Sequence, residues 1–210
     1  MKNSPYLIFD FDSTLVDSFL TVIEKFNLLA DEFKFRKISS DEIDSLRDLT
    51  SRELVKYLEI PIYKIPSVLR SARKHMRSEM QVLSPFTYLP EVLQNLYNRQ
   101  VPLGILTSNS SENVTEWLEH NKMQHLFKFI HVESSYFGKK RILRKIIKTY
   151  KMERPQIFYI GDETRDVEAA KECNVYSVAV TWGFNSEKIL TQHQPHYIVR
   201  KPDDILTMCK

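Results

Sequence analysis

Short, nearly unbroken apolar runs punctuate the chain at residues 6–9, 101–106, 129–132, 157–160, 175–180 and 197–199. Runs of this length, rich in β-branched and aromatic residues, predict strands buried on both faces. Most of the segments between them repeat apolar residues at helical spacing. Leu89, Val92, Leu93 and Leu96 share one face, Val114, Trp117 and Leu118 another, and Ile142, Leu143, Ile146, Ile147 and Tyr150 a third. Strand alternating with helix predicts an α/β core, a doubly wound, mostly parallel, Rossmann-like sheet with helices on both sides.

One connection breaks the alternation. From residue 18 to residue 84 the pattern stays helical, through Phe19, Val22, Ile23 and Phe26, then Leu54, Val55 and Leu58, then residues 67–80. A connection this long is not expected to be a structureless loop. The pattern therefore predicts a core made of residues 1–17 and 85–210, interrupted by a helical insert at 18–84 directly after the first strand. Pro61 and Pro66 bracket a bend inside the insert, and Pro85 marks the return.

Composition narrows the partners. The 210 residues are 42% hydrophobic and 27% charged, the balance of a globular chain. A net charge of +3 without a concentrated basic stripe gives no reason to expect a nucleic-acid partner. Four glycines in the whole chain exclude Gly-rich phosphate loops of the GxGxxG or GxxxxGK type. With only Cys173 and Cys209 there is no disulfide framework, which fits a reducing compartment. The N-terminus lacks a long apolar run before a small-residue cleavage site, and no stretch of about 18 apolar residues occurs. A cytoplasmic protein with no membrane partner is expected.

The chemistry-bearing residues follow the predicted strands. Asp10-Phe11-Asp12-Ser13-Thr14 comes after the first, Thr107-Ser108-Asn109 after the second, and Gly161-Asp162-Glu163-Thr164-Arg165-Asp166 after the fourth; Gly138-Lys139-Lys140 precedes the third apolar helix. An open α/β sheet gathers such segments into one crevice at the carboxyl ends of its strands. Asp10 and Asp12 end an apolar run, where charge is costly unless something offsets it.

Together, DFDSTLVDS, the Thr107-Ser108-Asn109 turn, the lysine after Gly138 and GDETRD resemble the four motifs of the haloacid dehalogenase-like superfamily of phosphohydrolases. Within it they are most similar to the phosphoglycolate phosphatase-like branch with a helical cap. The resemblance implies a Mg²⁺-dependent phosphatase that hydrolyses a small phosphorylated metabolite through an aspartyl-phosphate. Asp10 would be the nucleophile and Asp12 the general acid and base. Mg²⁺ would be held by Asp10, the main-chain carbonyl of Asp12 and Asp162, an all-oxygen set suited to a hard cation. Thr107, the amides of Ser108 and Asn109, and Lys139 would bind phosphate, with Lys140 the alternative lysine. Asp166 would act from behind, through water or by orienting Lys139. Arg47 and Arg52, flanking a turn of the insert, are the candidates for substrate specificity.

Three other readings stay open or weaken at this point. A β-phosphoglucomutase-like phosphomutase would return the phosphoryl group to sugar. A haloacid dehalogenase has no alkoxide to protonate, so Asp12 argues against it. A non-catalytic phospholigand-binding or regulatory module draws support from Ser13, which stands where the family usually has glycine. A monomer or weak dimer is expected.

Overall fold

The computed structural model describes residues 5–132 and 138–209. Strand β1 (Tyr6–Phe9) is followed by four helices, α1 (Phe19–Phe33), α2 (Ile43–Leu46), α3 (Ser51–Tyr57) and α4 (Ile65–Met76). Strand and helix then alternate through α5 (Leu89–Asn98), β2 (Leu103–Thr107), α6 (Ser111–His120), β3 (Phe127–Val132), α7 (Lys139–Thr149) and β4 (Ile157–Gly161). The chain finishes with α8 (Thr164–Glu172), β5 (Tyr176–Val180), α9 (Glu187–Gln192), β6 (Tyr197–Val199) and a 3₁₀ segment, Pro202–Cys209.

The six strands form one parallel sheet in the order β3-β2-β1-β4-β5-β6. Leu7 in β1 lies beside Leu103 in β2 and Phe158 in β4. The strand order reverses between β1 and β4, which is where an open α/β sheet leaves its crevice. Alternate side chains feed two separate cores. Leu7, Phe9, Ile105 and Ile160 pack with the apolar stripe of α5 and with Trp117 on one side. Ile8, Leu106 and Tyr159 pack with Leu143, Ile146 and Ile147 of α7 on the other. The four central strands, β2, β1, β4 and β5, are buried on both faces because they are apolar at nearly every position.

Two strands start two residues away from the sequence expectation, and the other limits move by one residue at most. β2 begins at Leu103 because the Val101 N–H closes the end of α5 on the Leu96 carbonyl and Pro102 has no donor to give. β3 begins at Phe127, ahead of the apolar run, as an edge strand of which only Phe129 is buried.

The insert has its own apolar centre of Ile23, Leu29, Ile38, Leu46, Leu58 and Val68. Its two connections run side by side: Val16 bridges Pro85, and the Asp17 N–H donates to the Ser84 carbonyl at 3.0 Å. Met76 and Met80, near the end of the insert, pack against the core of the sheet layer. The unbranched methionine side chain fills that junction.

Helix ends compensate for scarce glycine. Lys34, Gln100, Lys122, Lys151, Asn174 and Gln194 follow helices with left-handed backbone, and among the described residues no glycine has positive φ. At Lys122 the Met123 N–H reaches back to the Leu118 carbonyl at 2.8 Å, the bond that closes a Schellman end. Among the described residues no helix is long and apolar enough to cross a membrane.

Candidate active site

β1 stops at Phe9, and the Asp10 N–H donates to the Ile160 carbonyl of β4 at 2.8 Å, which anchors Asp10 at the strand-order reversal. The chain then turns tightly. Ser13 sits in the turn at φ 55°, a conformation that costs a side-chain-bearing residue about 1 kcal/mol or more. Its N–H donates to Ser18 Oγ at 3.0 Å, which ties the turn to the start of α1. Where the family usually has glycine, then, the turn does demand positive φ, and Ser13 meets the demand. Across this turn Asp10 and Asp12 meet different partners, Lys139 and Asn109.

Lys139, the first residue of α7, places Nζ 2.5 Å from Asp10 Oδ2 and 2.5 Å from Asp166 Oδ1. Lys140 pairs with Glu172 on the surface, so of the two lysines only Lys139 reaches the acids. Burial works against the Lys139 charge, but Asp10 and Asp166 outweigh it and its pKa is raised. Asp166 also accepts from Tyr159 Oη at 3.0 Å and from the Glu163 N–H at 3.1 Å. Its close approach to β4 requires Gly161, where an added Cβ would lie 2.5 Å from the Asp166 carboxyl carbon.

Asp162 is held by neutral donors, Thr14 Oγ1 at 2.6 Å and the Phe184 N–H at 2.7 Å. Gly183 allows the approach, since a Cβ there would sit 2.2 Å from Asp162 Cβ. Asp10, Asp162 and Asp166 each offer an oxygen within 4.8 Å of the others. Burial, against the pull of Lys139, pushes Asp10 up to about 7, and burial together with the neighbouring carboxylates pushes Asp162 well above the usual carboxylate range. Three buried carboxylates with one buried lysine between two of them are short of positive charge. A divalent cation on oxygen ligands fits that deficit.

Thr107 ends β2, fully buried, and its Oγ1 accepts from the Asn109 N–H at 2.9 Å. Ser110 caps α6 by accepting from the Asn113 N–H at 3.2 Å. The sequence pattern marks Asn109 only for its backbone amide. Its side chain has a separate task, because Nδ2 donates to both oxygens of Asp12, at 3.0 and 3.1 Å. Burial still dominates and raises Asp12 to about 6.

A cavity of about 180 Å³ covers these strand ends. Its floor includes Asp12, Ser108, Asn109, Asp162, Glu163 and Arg165, and its roof includes Phe19, Val22, Phe26, Leu54 and Leu69 from the insert. Asp10, Thr107 and Lys139 lie beneath the floor, each no more than 3% exposed. Neither Arg47 nor Arg52 is among the described residues that line it. The Arg47 guanidinium donates to the carbonyls of Phe184 and Gly183 at 3.1 and 3.0 Å, so it docks the insert on the core, and Arg52 is exposed. The cations on the cavity wall are instead Lys25, Arg73 and Arg165. The sequence motifs give Lys25 and Arg165 no role, although one signal is present: Lys25 falls three residues after Val22, on the same helical face.

The haloacid dehalogenase-like hydrolase family model matches residues 7–180. The chain belongs to that family. A phosphoglycolate phosphatase of Synechococcus elongatus is 32% identical over 95% of this chain and 94% of its own length. A pyrophosphatase PpaX of Oceanobacillus iheyensis is 22% identical over 96% of this chain and 95% of its own. Among solved structures, a haloacid dehalogenase-like family hydrolase from Streptococcus pneumoniae superimposes with a TM-score of 0.81, at 22% identity and over 100% of both chains. The parallel six-stranded sheet of this chain is thus the fold of a known hydrolase family, and the residues at its strand ends occupy the crevice that fold provides.

Proposed function

We propose that this haloacid dehalogenase-like hydrolase is a Mg²⁺-dependent phosphatase acting on a small phosphomonoester of the phosphoglycolate type. The observation that carries the reading is the buried set of Asp10, Asp162 and Asp166, with Lys139 between Asp10 and Asp166, beneath a cavity at the strand ends. The phosphatase names of the relatives support it.

Asp10 attacks phosphorus and carries the phosphoryl group as an aspartyl-phosphate, so one slow displacement becomes two faster ones. Asp12 protonates the departing alkoxide and then takes a proton from the water that cleaves the intermediate. A raised Asp12 pKa of about 6 suits both directions of transfer near neutrality. Asn109 keeps the Asp12 carboxyl aimed into the cavity. Lys139 offsets the repulsion between Asp10 and the phosphate, and Asp166 with Tyr159 fixes where that ammonium points. Thr107 and the turn after it receive phosphate oxygens at the start of α6. Mg²⁺, held by Asp10, Asp162 and the Asp12 carbonyl, would supply charge neutralisation and orientation. Residues 18–84 act as a cap whose apolar side excludes bulk water. The substrate is a cytoplasmic metabolite, and no nucleic acid or membrane takes part.

Hydrolysis of p-nitrophenyl phosphate tests the reading. Turnover is expected with Mg²⁺, is lost with chelator, and falls by roughly 10⁴-fold or more in Asp10→Asn. Activity that survives Asp10→Asn would remove the nucleophile from the scheme. A wild-type protein that binds phosphate without turnover would favour the non-catalytic module, and dependence on a sugar bisphosphate the phosphomutase.

A further inference from the structure

Four side chains from three segments make one polar chain along the cavity wall. Ser51, the first residue of α3 in the insert, donates its hydroxyl to Glu163 Oε2 at 2.7 Å. Glu163 Oε1 accepts from Arg165 Nη2 at 2.5 Å, and Arg165 Nη1 donates to Ser108 Oγ at 3.2 Å. Glu163, Arg165 and Ser108 all line the cavity, and the side chains of the ion pair keep only 17% and 20% of their exposure.

An ion pair this far withdrawn from water carries a desolvation cost, and it is weak evidence of a purely stabilising role. Neither partner is needed for the acidic cluster, which Asp162 and Asp166 supply. What the pair does is hold a guanidinium in one orientation against the turn between β2 and α6. A planar guanidinium matches the oxygens of a phosphoryl group better than a point charge does.

We propose that Arg165 is a phosphate-binding residue whose orientation depends on the insert: Ser51 fixes Glu163, Glu163 fixes the guanidinium, and the guanidinium faces phosphoryl oxygens beside Ser108. The proposal rests on the phosphatase reading above. Arg165 touches the ligand, whereas Glu163 and Ser51 are positioning residues. Through them, the seating of one helix of the insert is felt at the phosphate.

Inorganic phosphate is the probe. Its dissociation constant is measured by calorimetry with Mg²⁺ present, for the wild type, Arg165→Ala, Arg165→Gln, Ser51→Ala and the Ser51→Ala/Arg165→Ala double variant, each with its melting temperature. Removing the guanidinium is expected to weaken phosphate binding roughly 10- to 100-fold, the range for a lost charged hydrogen bond. Ser51→Ala is expected to weaken it about 3- to 10-fold alone, and to add nothing once Arg165 is gone. In turnover the Ser51→Ala loss falls on KM, with kcat little changed. If Arg165→Ala does not fold, Arg165→Gln carries the same expectation without the charge. Folded Arg165 variants with wild-type phosphate affinity overturn the proposal, as does a merely lowered melting temperature. Independent, additive losses from Ser51 and Arg165 overturn the relay. The calorimetry reads Arg165 even where no phosphomonoester is turned over, so a failure of the phosphatase reading is seen separately.

Discussion

The sheet side of the cavity presents Asp12, Asn109, Asp162 and Glu163, whereas the insert side presents Phe19, Val22, Phe26, Leu54 and Leu69. On the sheet side nearly every polar atom is committed to a partner at fixed distance, from Asn109 on Asp12 to Thr14 on Asp162. On the insert side the lining is mostly apolar, with Lys25 and Arg73 as its cations. Directional groups held by a buried sheet suit bond-making, which needs reacting atoms placed within a fraction of an ångström. An apolar roof suits water exclusion and selection by size, which tolerate substitution. The two sides should therefore fail differently when altered.

The largest contrast is expected at Asp12, the proposed general acid and base. Asp12→Asn should lower kcat by about 10²- to 10⁴-fold on alkyl phosphates, whose leaving groups need a proton, and far less on p-nitrophenyl phosphate. Equal losses on both esters would separate Asp12 from leaving-group protonation. Next comes the buried cation: Lys139→Met should cost about 10²- to 10³-fold in kcat, whereas Lys140→Met should change little. Comparable losses from the two lysines would blur the division between buried floor and solvated surface.

The roof should respond more mildly. Phe26→Ala is expected to reduce kcat/KM about 5- to 50-fold through KM, the scale of lost apolar contact, while kcat stays within about 2-fold. A fall confined to kcat would mean that the roof shapes the chemistry as well.

Stability separates the regions by pH. Burial raises the folded Asp10 to about 7 and Asp12 to about 6, both above the ordinary aspartate value of 3.8. Between about pH 4 and 7 the metal-free folded state consequently holds more protons than the unfolded chain, so stability falls as pH rises through that window. In chelator the melting temperature should drop across it, Asp10→Asn should flatten the drop, and Mg²⁺ should recover most at the upper end. A melting temperature that rises with pH in chelator would contradict the buried-acid account. The smallest effect is local: Lys122→Gly relieves a left-handed helix end and should add about 0.5–1 kcal/mol in urea unfolding without altering turnover.

Much of the fold and of the site is legible in the order of residues. Residues 6–9 and 197–199 are strands at the expected limits, because short apolar runs flanked by polar residues have few alternatives. The later start of β2 comes from Pro102, whose missing donor does not alter an apolar pattern. Asp10, Asp12 and Asp162 stand out because carboxylates that end apolar runs are conspicuous. Asn109 does not, because an amide beside a serine reads as turn chemistry until Asp12 is seen opposite it. Arg47 is conspicuous as a charge in a turn, yet its guanidinium is committed to the backbone of residues 183 and 184.

By itself the sequence determined the alternating core, the helical insert after the first strand, and the acids and the short lysine run at the strand ends. These depend on local periodicity and on the rule that a parallel sheet exposes its carboxyl ends. Only the tertiary structure decided that Lys139 rather than Lys140 meets Asp10, that Ser13 carries the positive φ, and that Arg165 reaches Ser108 while Glu163 meets Ser51. Each of those pairings joins residues whose proximity is set by sheet register, helix rotation and the seating of the insert, and those are properties of the packed chain.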